Sequence, residues 1–443
     1  MPRLLLKTRL FWVFGGLFFF LSCPSYSAPS LAPLNLSFQE ALKIAQERHV
    51  EVIVAHERVQ QALTRISQAR AVLLPQLDGR AYEQRKTVNL KSMGIDIPLP
   101  GFSSLVGPFN TFDARVSLTQ TILDPEAIER LRSSHAGERL SQANLRKTQQ
   151  DALSLVATLY VNAERAQDAI ALARALLKRS EDRARLARTR LALGLGTELE
   201  ATQLNSELAD QKSLLTQAIA EASERRLDLN AALGIAPETP LVFSRGKNDF
   251  SEKIFENPSL PFNGHPDIEL ARAQVVQNEW EKKAAQAQYY PKIIGTADYG
   301  ASGSTPGEAD GTYSYGAQLS IPIYKGGLRH ARVQEATSKI RESEARLADT
   351  KEQVSAKILS AQEMLKKARA LWQAAKADET AAKKQLSVAQ DRSKIGSGTE
   401  LETVEAKALW AQALDRQNEA KATYRLAQVN LARALGRMES LTE

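Results

Sequence analysis

Residues 190–200 read RLALGLGTELE and residues 392–402 read RSKIGSGTELE, so R-x-x-x-G-x-G-T-E-L-E recurs at an offset of 202. The match extends on both sides. LNAALG at 229–234 meets LARALG at 431–436 at the same offset, and Leu118 meets Leu319 at 201. Near the start of each half, His49 pairs with His265 and Pro75 with Pro291, both at 216. Solenoid units run to roughly 20–50 residues, so a period near 200 marks a duplicated, domain-sized element. The chain is read as a first repeat over 28–235, a linker over 236–262 and a second repeat over 263–443.

The recurring motif punctuates helices. No proline occurs from Glu126 to Ala236 or from Ile323 onward, and both stretches are rich in strong helix formers. Asp124-Pro125 opens the first as an N-cap followed by proline at N1. An unbroken helix from there to Gly194 has about 70 residues and a length of about 100 Å. One apolar stripe runs through Leu153, Val156, Tyr160, Ala163, Ile170 and Leu177, and a second through Leu155, Leu159, Ala166, Ala169, Ala173 and Leu176. Two seams mean two neighbours, as in a ring or multi-helix bundle. The Gly-x-Gly-Thr segment then reads as a glycine C-cap, a threonine N-cap and Glu200 at N3 of a capping box, with a helix over about 198–233 returning antiparallel. Such a tip is also an exposed docking surface, which makes Arg190, Gly194, Gly196 and Thr197, with Arg392, Gly396, Gly398 and Thr399, candidate contact residues.

Between the helical arms lie short alternating runs. In 312–323, Tyr313, Tyr315, Ala317, Leu319 and Ile321 oppose Ser314, Gly316, Gln318 and Ser320. In 112–122, Phe112, Ala114, Val116, Leu118 and Ile122 oppose Asp113, Arg115, Ser117, Thr119 and Thr121. Shorter apolar faces follow the paired prolines: Ile293, Gly295, Ala297 and Tyr299, and Leu77, Gly79 and Ala81. Each run is about ten residues, the length of a tilted membrane strand. The drop in offset from 216 to 201 assigns about fifteen extra residues to the first strand hairpin, in a loop over about 87–110. Four strands per chain leave two open edges, which lipid does not tolerate, so the sheet is expected to close by oligomerisation.

The amino terminus reads as a targeting segment. Arg3, Lys7 and Arg9 precede an apolar run over 10–21 that is too short to span a bilayer as a helix, and Ser25 and Ser27 suit cleavage after Ser27. The alternative uses Cys23, the only cysteine, as a lipid attachment point. Without the three basic residues the formal charge falls from +7 to +4, and the remaining charges are interspersed, which excludes a nucleic-acid footprint. His49, His56, His135, His265 and His330 form no cluster with carboxylates, so no metal set, cofactor site or enzyme is expected. The equivalent His49 and His265 suggest a structural turn role.

Taken together, the duplicated halves, the strand-to-helix junction LSIPIYKGG at 319–327 and the two G-x-G-T-E-L-E tips resemble the TolC-like outer-membrane channel proteins. The resemblance implies a mainly α chain with a membrane β-barrel: a duplicated long-helix hairpin forming an α-barrel tunnel, and four strands per chain in a trimeric twelve-stranded barrel. It further implies a homotrimer in outer-membrane lipid, extending into the periplasm. Its partners would be a periplasmic adaptor (membrane fusion) protein and an inner-membrane transporter of an efflux or type I secretion system. Acidic residues on the helix after the second tip narrow the periplasmic entrance in that family. Glu402 and Glu405 align with them, and Glu200 stands at the corresponding first-tip position. An ordinary solvated helix face is the plain alternative for each. The family's tyrosine and arginine that hold the closed state are replaced here by Ser393 and Gly398, leaving Arg392 and Arg190 as available substitutes. The rival reading is a periplasmic coiled-coil adaptor, which also has long hairpins but lacks paired membrane-length strands.

Overall fold

The computed structural model describes residues 33–95, 104–244 and 264–441. The duplication is visible element by element. In the first half come α2 (Val50–Ala71), β2 (Gln76–Asn89), β3 (Leu105–Leu123), α3 (Pro125–Ala192) and α4 (Glu198–Ala232). In the second come α5 (Pro266–Ala287), β5 (Lys292–Gly303), β6 (Asp310–Ser320), α6 (Leu328–Lys394) and α7 (Glu400–Ala434). Helix lengths match closely: 22, 68 and 35 residues against 22, 67 and 35. The strands differ, at 14 and 19 residues against 12 and 11. The extra residues of the first hairpin therefore lengthen its strands as well as its loop, because the ladder continues past an irregularity at Lys86/Val88 up to Asn89 and Leu105.

The four long strands form one antiparallel sheet in the order β2-β3-β5-β6. Directly paired residues share a face, so the register tests the alternation. Leu77 faces Leu118, Gly79 faces Val116, Val116 faces Tyr299, Ala297 faces Tyr315 and Ile293 faces Leu319, all on one side. The other side carries Asp113, Arg115, Asp298 and Ser314. Arg115 binds both Asp113 and Asp298 (2.9 Å to the latter), and Ser314 donates to Asp298, so an ion network crosses from the first strand pair to the second. The apolar face is bare: Leu77, Tyr299, Tyr313, Tyr315 and Leu319 are all more than half exposed.

The helices stand side by side. Nearer the sheet the order is α2-α3-α5-α6, and beyond it α4-α3-α7-α6. On α3 the first sequence stripe is buried at Leu153, Val156, Tyr160, Ala163 and Ile170, while small residues recur every seven positions at Ala136 and Ala143 and again at Ala166, Ala173, Ser180 and Ala187. That heptad spacing keeps a thin seam against one neighbour and permits close approach.

Midway along the rods, the short strands β1 (Leu34–Leu36) and β4 (Leu241–Phe243) pair in parallel and clasp the bundle. Between them and α1 (Phe38–Arg48), Tyr160 is fully buried. Its ring lies edge-on to Phe38 and Phe243, at 5.5 and 5.3 Å, and its hydroxyl donates to the carbonyl of Leu36 at 3.1 Å. Burial in this apolar setting pushes the phenol well above its ordinary range. Part of the stretch read as linker is thus an ordered strand.

The paired histidines are helix caps at joints where one helix ends on another. His49 Nδ1 accepts from the amide of Glu51 at the start of α2, and His265 Nδ1 accepts from the amide of Asp267 at the start of α5, both at 3.3 Å. His265 does more. Its Nε2 lies 3.0 Å from the carbonyl of Ala434, so with Nδ1 accepting, Nε2–H donates to the last turn of α7. One buried imidazole therefore caps an amino terminus and a carboxyl terminus together. Burial lowers its basicity. Beside it Arg433 reaches Asp267 at 3.1 Å and Asp151 of α3 at 2.6 Å. Burial alone would raise the Asp267 carboxyl, but the hydrogen bond and charge of Arg433 outweigh it and hold it below the usual range.

Candidate functional site at the hairpin tips

Five residues join each long helix to its return helix, and the recurring motif is accounted for almost letter by letter. The first glycine of each tip is left-handed, with φ of 72° at Gly194 and 74° at Gly396, a region that costs a side chain dearly. This conformation turns the chain so that the amide of Leu195 donates to the carbonyl of Arg190 and that of Ser397 to Arg392, both at 2.9 Å. The amides of Gly194 and Gly396 bond one residue further on, completing a Schellman end on each helix. The second glycine sits in a tight space. A Cβ at Gly196 would sit 3.1 Å from the amide nitrogen of Leu191, and one at Gly398 would lie 3.1 Å from Arg392 Cβ and 3.2 Å from Glu402 Oε2.

The threonines start the return helices. Thr197 Oγ1 accepts from the amide of Glu200 and Thr399 Oγ1 from that of Glu402, each at 3.2 Å. The Glu200 carboxylate turns toward Arg190, 3.9 Å away. The arginines brace their own turns: Arg190 donates to the carbonyl of Leu195 and Arg392 to that of Ser397. Glu402 is exposed and Glu405, one turn on, is half-buried. Among the described residues no hydrogen bond or ion pair joins one tip to the other. The two arginines that sequence offered as closure substitutes serve their own hairpins within one protomer.

The polar links between the two hairpins lie higher up. Arg165 of α3 pairs with Asp415 of α7 at 2.8 Å, and Arg425 of α7 pairs with Glu164 of α3 while stacking over Phe38. Partners 250 and 261 residues apart leave no sequence signal. The apolar character of the tips was also missed. Leu193, Leu195 and Leu199 at the first and Ile395 at the second are exposed by 68–78 %. Their signal was present, since apolar residues in a turn without a core to cover them are unusual. Cys23 and the cleavage site lie outside the described residues.

A four-stranded sheet bare and apolar on one face, polar on the other, and carried on paired helices about 100 Å long, is the build of a membrane-anchored helical subunit. The chain belongs to the outer membrane efflux protein family, whose model matches residues 41–235 and 259–437. Family and fold place it in the outer membrane with its helices in the periplasm. It is 28 % identical over 261 residues to the alkaline protease secretion protein AprF of Pseudomonas aeruginosa, covering 54 % of this chain and 52 % of that one. To the fusaric acid resistance protein FusA of Burkholderia cepacia it is 29 % identical over 210 residues, 44 % of this chain and 40 % of the relative. The chain thus aligns over about half the length of these relatives. The fold is that of the Campylobacter jejuni CmeC outer membrane channel, with a TM-score of 0.74, 19 % identity and coverage of 90 % of this chain and 85 % of that one. The open state of the Neisseria gonorrhoeae MtrE channel is similar, with a TM-score of 0.70, 19 % identity and coverage of 90 % and 88 %.

Proposed function

We propose that the protein is the outer-membrane channel of a tripartite efflux pump or type I secretion system, and not an enzyme. Three copies close a twelve-stranded barrel through the free edges of β2 and β6, and their helices enclose a tunnel through which cargo leaves the periplasmic side. The observation that carries this reading is the sheet itself: one apolar face exposed, one face charged, and two edges unpaired among the described residues, an arrangement that lipid admits only in a closed barrel. That sheet also argues against the adaptor reading.

In this proposal, residues 28–235 and 263–443 are the two repeats, with 236–262 as the connection at the level of the clasp. The tips, with their exposed leucines and Ile395, dock a periplasmic adaptor, through which an inner-membrane transporter delivers cargo. Threefold symmetry gathers Glu402 and Glu405 into an acidic ring at the periplasmic mouth, with Glu200 beside it. AprF and FusA are named for protein secretion and for resistance to a small acid, so polypeptide and small-molecule cargo are both compatible.

Purified protein in planar bilayers tests the core of the proposal. A heat-modifiable trimer that inserts and conducts is the expected result, together with crosslinks between cysteines placed on β2 of one copy and β6 of the next. A monomer without conductance would sink it.

A further inference from the structure

The cavity that the tip chemistry does not use lies on the helices near the sheet. About 640 Å³ in volume, it is lined by all four helices of that layer, with Arg58 from α2, Lys147 from α3, Asp267 from α5, and Arg346 and Lys357 from α6 among its walls. Within this layer the main contacts run in the order α2-α3-α5-α6, so the helices stand in a row. A single cavity reached by both the first and the last helix of a row lies on its concave side. Exposure on α3 agrees: Arg139, Gln142 and Arg146, outside the cavity, are exposed, whereas Leu140, Asn144 and Lys147 facing it are only partly so. In a closed assembly the concave side is the inside.

Its charge is unbalanced. Lys147 is paired with Asp151 at 2.6 Å and Arg346 with Glu342 at 2.6 Å, while Asp267 is held by Arg433. Arg58 and Lys357 have no carboxylate partner among the described residues. Each protomer thus places two uncompensated cations, on helices at opposite ends of the row, around a cavity of the size that holds small molecules, roughly 300–1,000 Å³. In a narrow, low-dielectric tunnel such charges concentrate anions well beyond their effect on an open surface.

We propose that this concave basic chamber is a binding station for multivalent carboxylates, with Arg58 and Lys357 as its principal contacts. The proposal rests on the reading of the protein as a trimeric tunnel. It gives the conduit two zones of opposite sign: an acidic mouth at Glu402 and Glu405, and a basic chamber between the mouth and the membrane. Anionic groups of a passing molecule would be repelled at rest by the first and held by the second. The cargo class favoured is therefore acidic small molecules or polypeptides with acidic segments, delivered across the mouth by a bound partner.

Citrate is the probe, added on the barrel side of single trimers in planar bilayers, from which the chamber is reached without crossing the acidic mouth. Wild-type channels are expected to show reversible, concentration-dependent current block. The double variant Arg58→Gln with Lys357→Gln should raise the half-blocking concentration roughly tenfold. Arg146→Gln, the same charge change outside the cavity, should leave it unaltered, and Lys357→Arg should retain the block. Trimer on unheated gels shows whether each variant has assembled; if the double variant does not assemble, Lys357→Gln alone carries the comparison. Conducting channels that citrate blocks equally in wild type and variants, or does not block at all, overturn the chamber and leave the tunnel standing. Protein that assembles into no pore overturns the tunnel itself.

Discussion

Replacing His265 by alanine should loosen the joint between α5 and α7 far more than the same change at the equivalent His49. The imidazole of His265 is 1 % exposed and bonds at both nitrogens, whereas His49 is partly exposed and bonds at one. Loss of an N-cap costs about 1 kcal/mol. Loss of the bond to Ala434 adds about 1 kcal/mol, and the emptied ring space adds about 1–2 kcal/mol more. His265→Ala should therefore cost about 3–4 kcal/mol locally and His49→Ala about 1 kcal/mol. Hydrogen exchange reads the difference directly. Peptides spanning 264–275 and 430–437 should lose protection by about two to three orders of magnitude in His265→Ala, since each 1.36 kcal/mol is a decade. Equal loss in the two variants would refute the dual-cap reasoning. A pH arm follows from the lowered basicity of His265. The folded state holds the ring neutral where the unfolded chain, with its pKa near 6.5, takes up a proton. The unfolded state then binds more protons, so stability is full above about 6.5 and falls as pH drops toward the lower folded value. After correction for intrinsic exchange rates, wild type should lose protection across that window, while His265→Asn, which can still cap but cannot titrate, should not.

Other outcomes follow from the same geometry. Leu319→Arg puts a charge on the apolar face and should cost about 2–4 kcal/mol near the bilayer midplane, reducing trimer on unheated gels; Gln318→Arg, on the polar face, should assemble normally, and equal yields would mean the faces are reversed. Gly396→Val forces a branched side chain into φ of 74°, so export and tip-to-adaptor crosslinking should fall while trimer level stays normal; unchanged crosslinking would remove the tip from the docking surface. Glu402→Ala with Glu405→Ala should weaken both cation preference and block by trivalent cations in bilayer recordings, and unaltered selectivity would reduce the two glutamates to solvated helix residues.

What was legible in the sequence was whatever repeats or alternates. The long helices, their five-residue turns, the strand faces and the paired histidine caps all leave a local period or a matched letter, because backbone geometry imposes 3.6 or 2 residues per repeat on any sequence that obeys it. Contacts between distant parts left none. The clasp of β1 on β4 pairs three residues near the start of the first repeat with three from the linker, too few to alternate visibly. The Arg165–Asp415 and Arg425–Glu164 pairs use residue types that also cover every solvated helix face here. The concave chamber was invisible for the same reason: nothing in a helical charge pattern says which of two exposed faces curves inward.

The duplication makes those illegible features informative, because each has a counterpart that lacks it. Gly194 and Gly396, Thr197 and Thr399, and Arg190 and Arg392 are matched in sequence and in bonding, so the tip is one solution used twice. The joints are not matched. At the offset of 202, the position of Arg433 holds Ala231, and His49 lacks the burial of His265. The second repeat thus fastens α5, α7 and α3 with a buried imidazole and an arginine bridging two carboxylates, where the first relies on a single cap and packing. Arg165 and Arg425 add further ties between α3 and α7, all above the tips. With the upper part of α7 held this firmly and no hydrogen bond or ion pair described between its lower end and the neighbouring hairpin, a change of mouth diameter in the proposed channel would be taken up by the segment of α7 below Asp415. Glu402 and Glu405 lie on that segment.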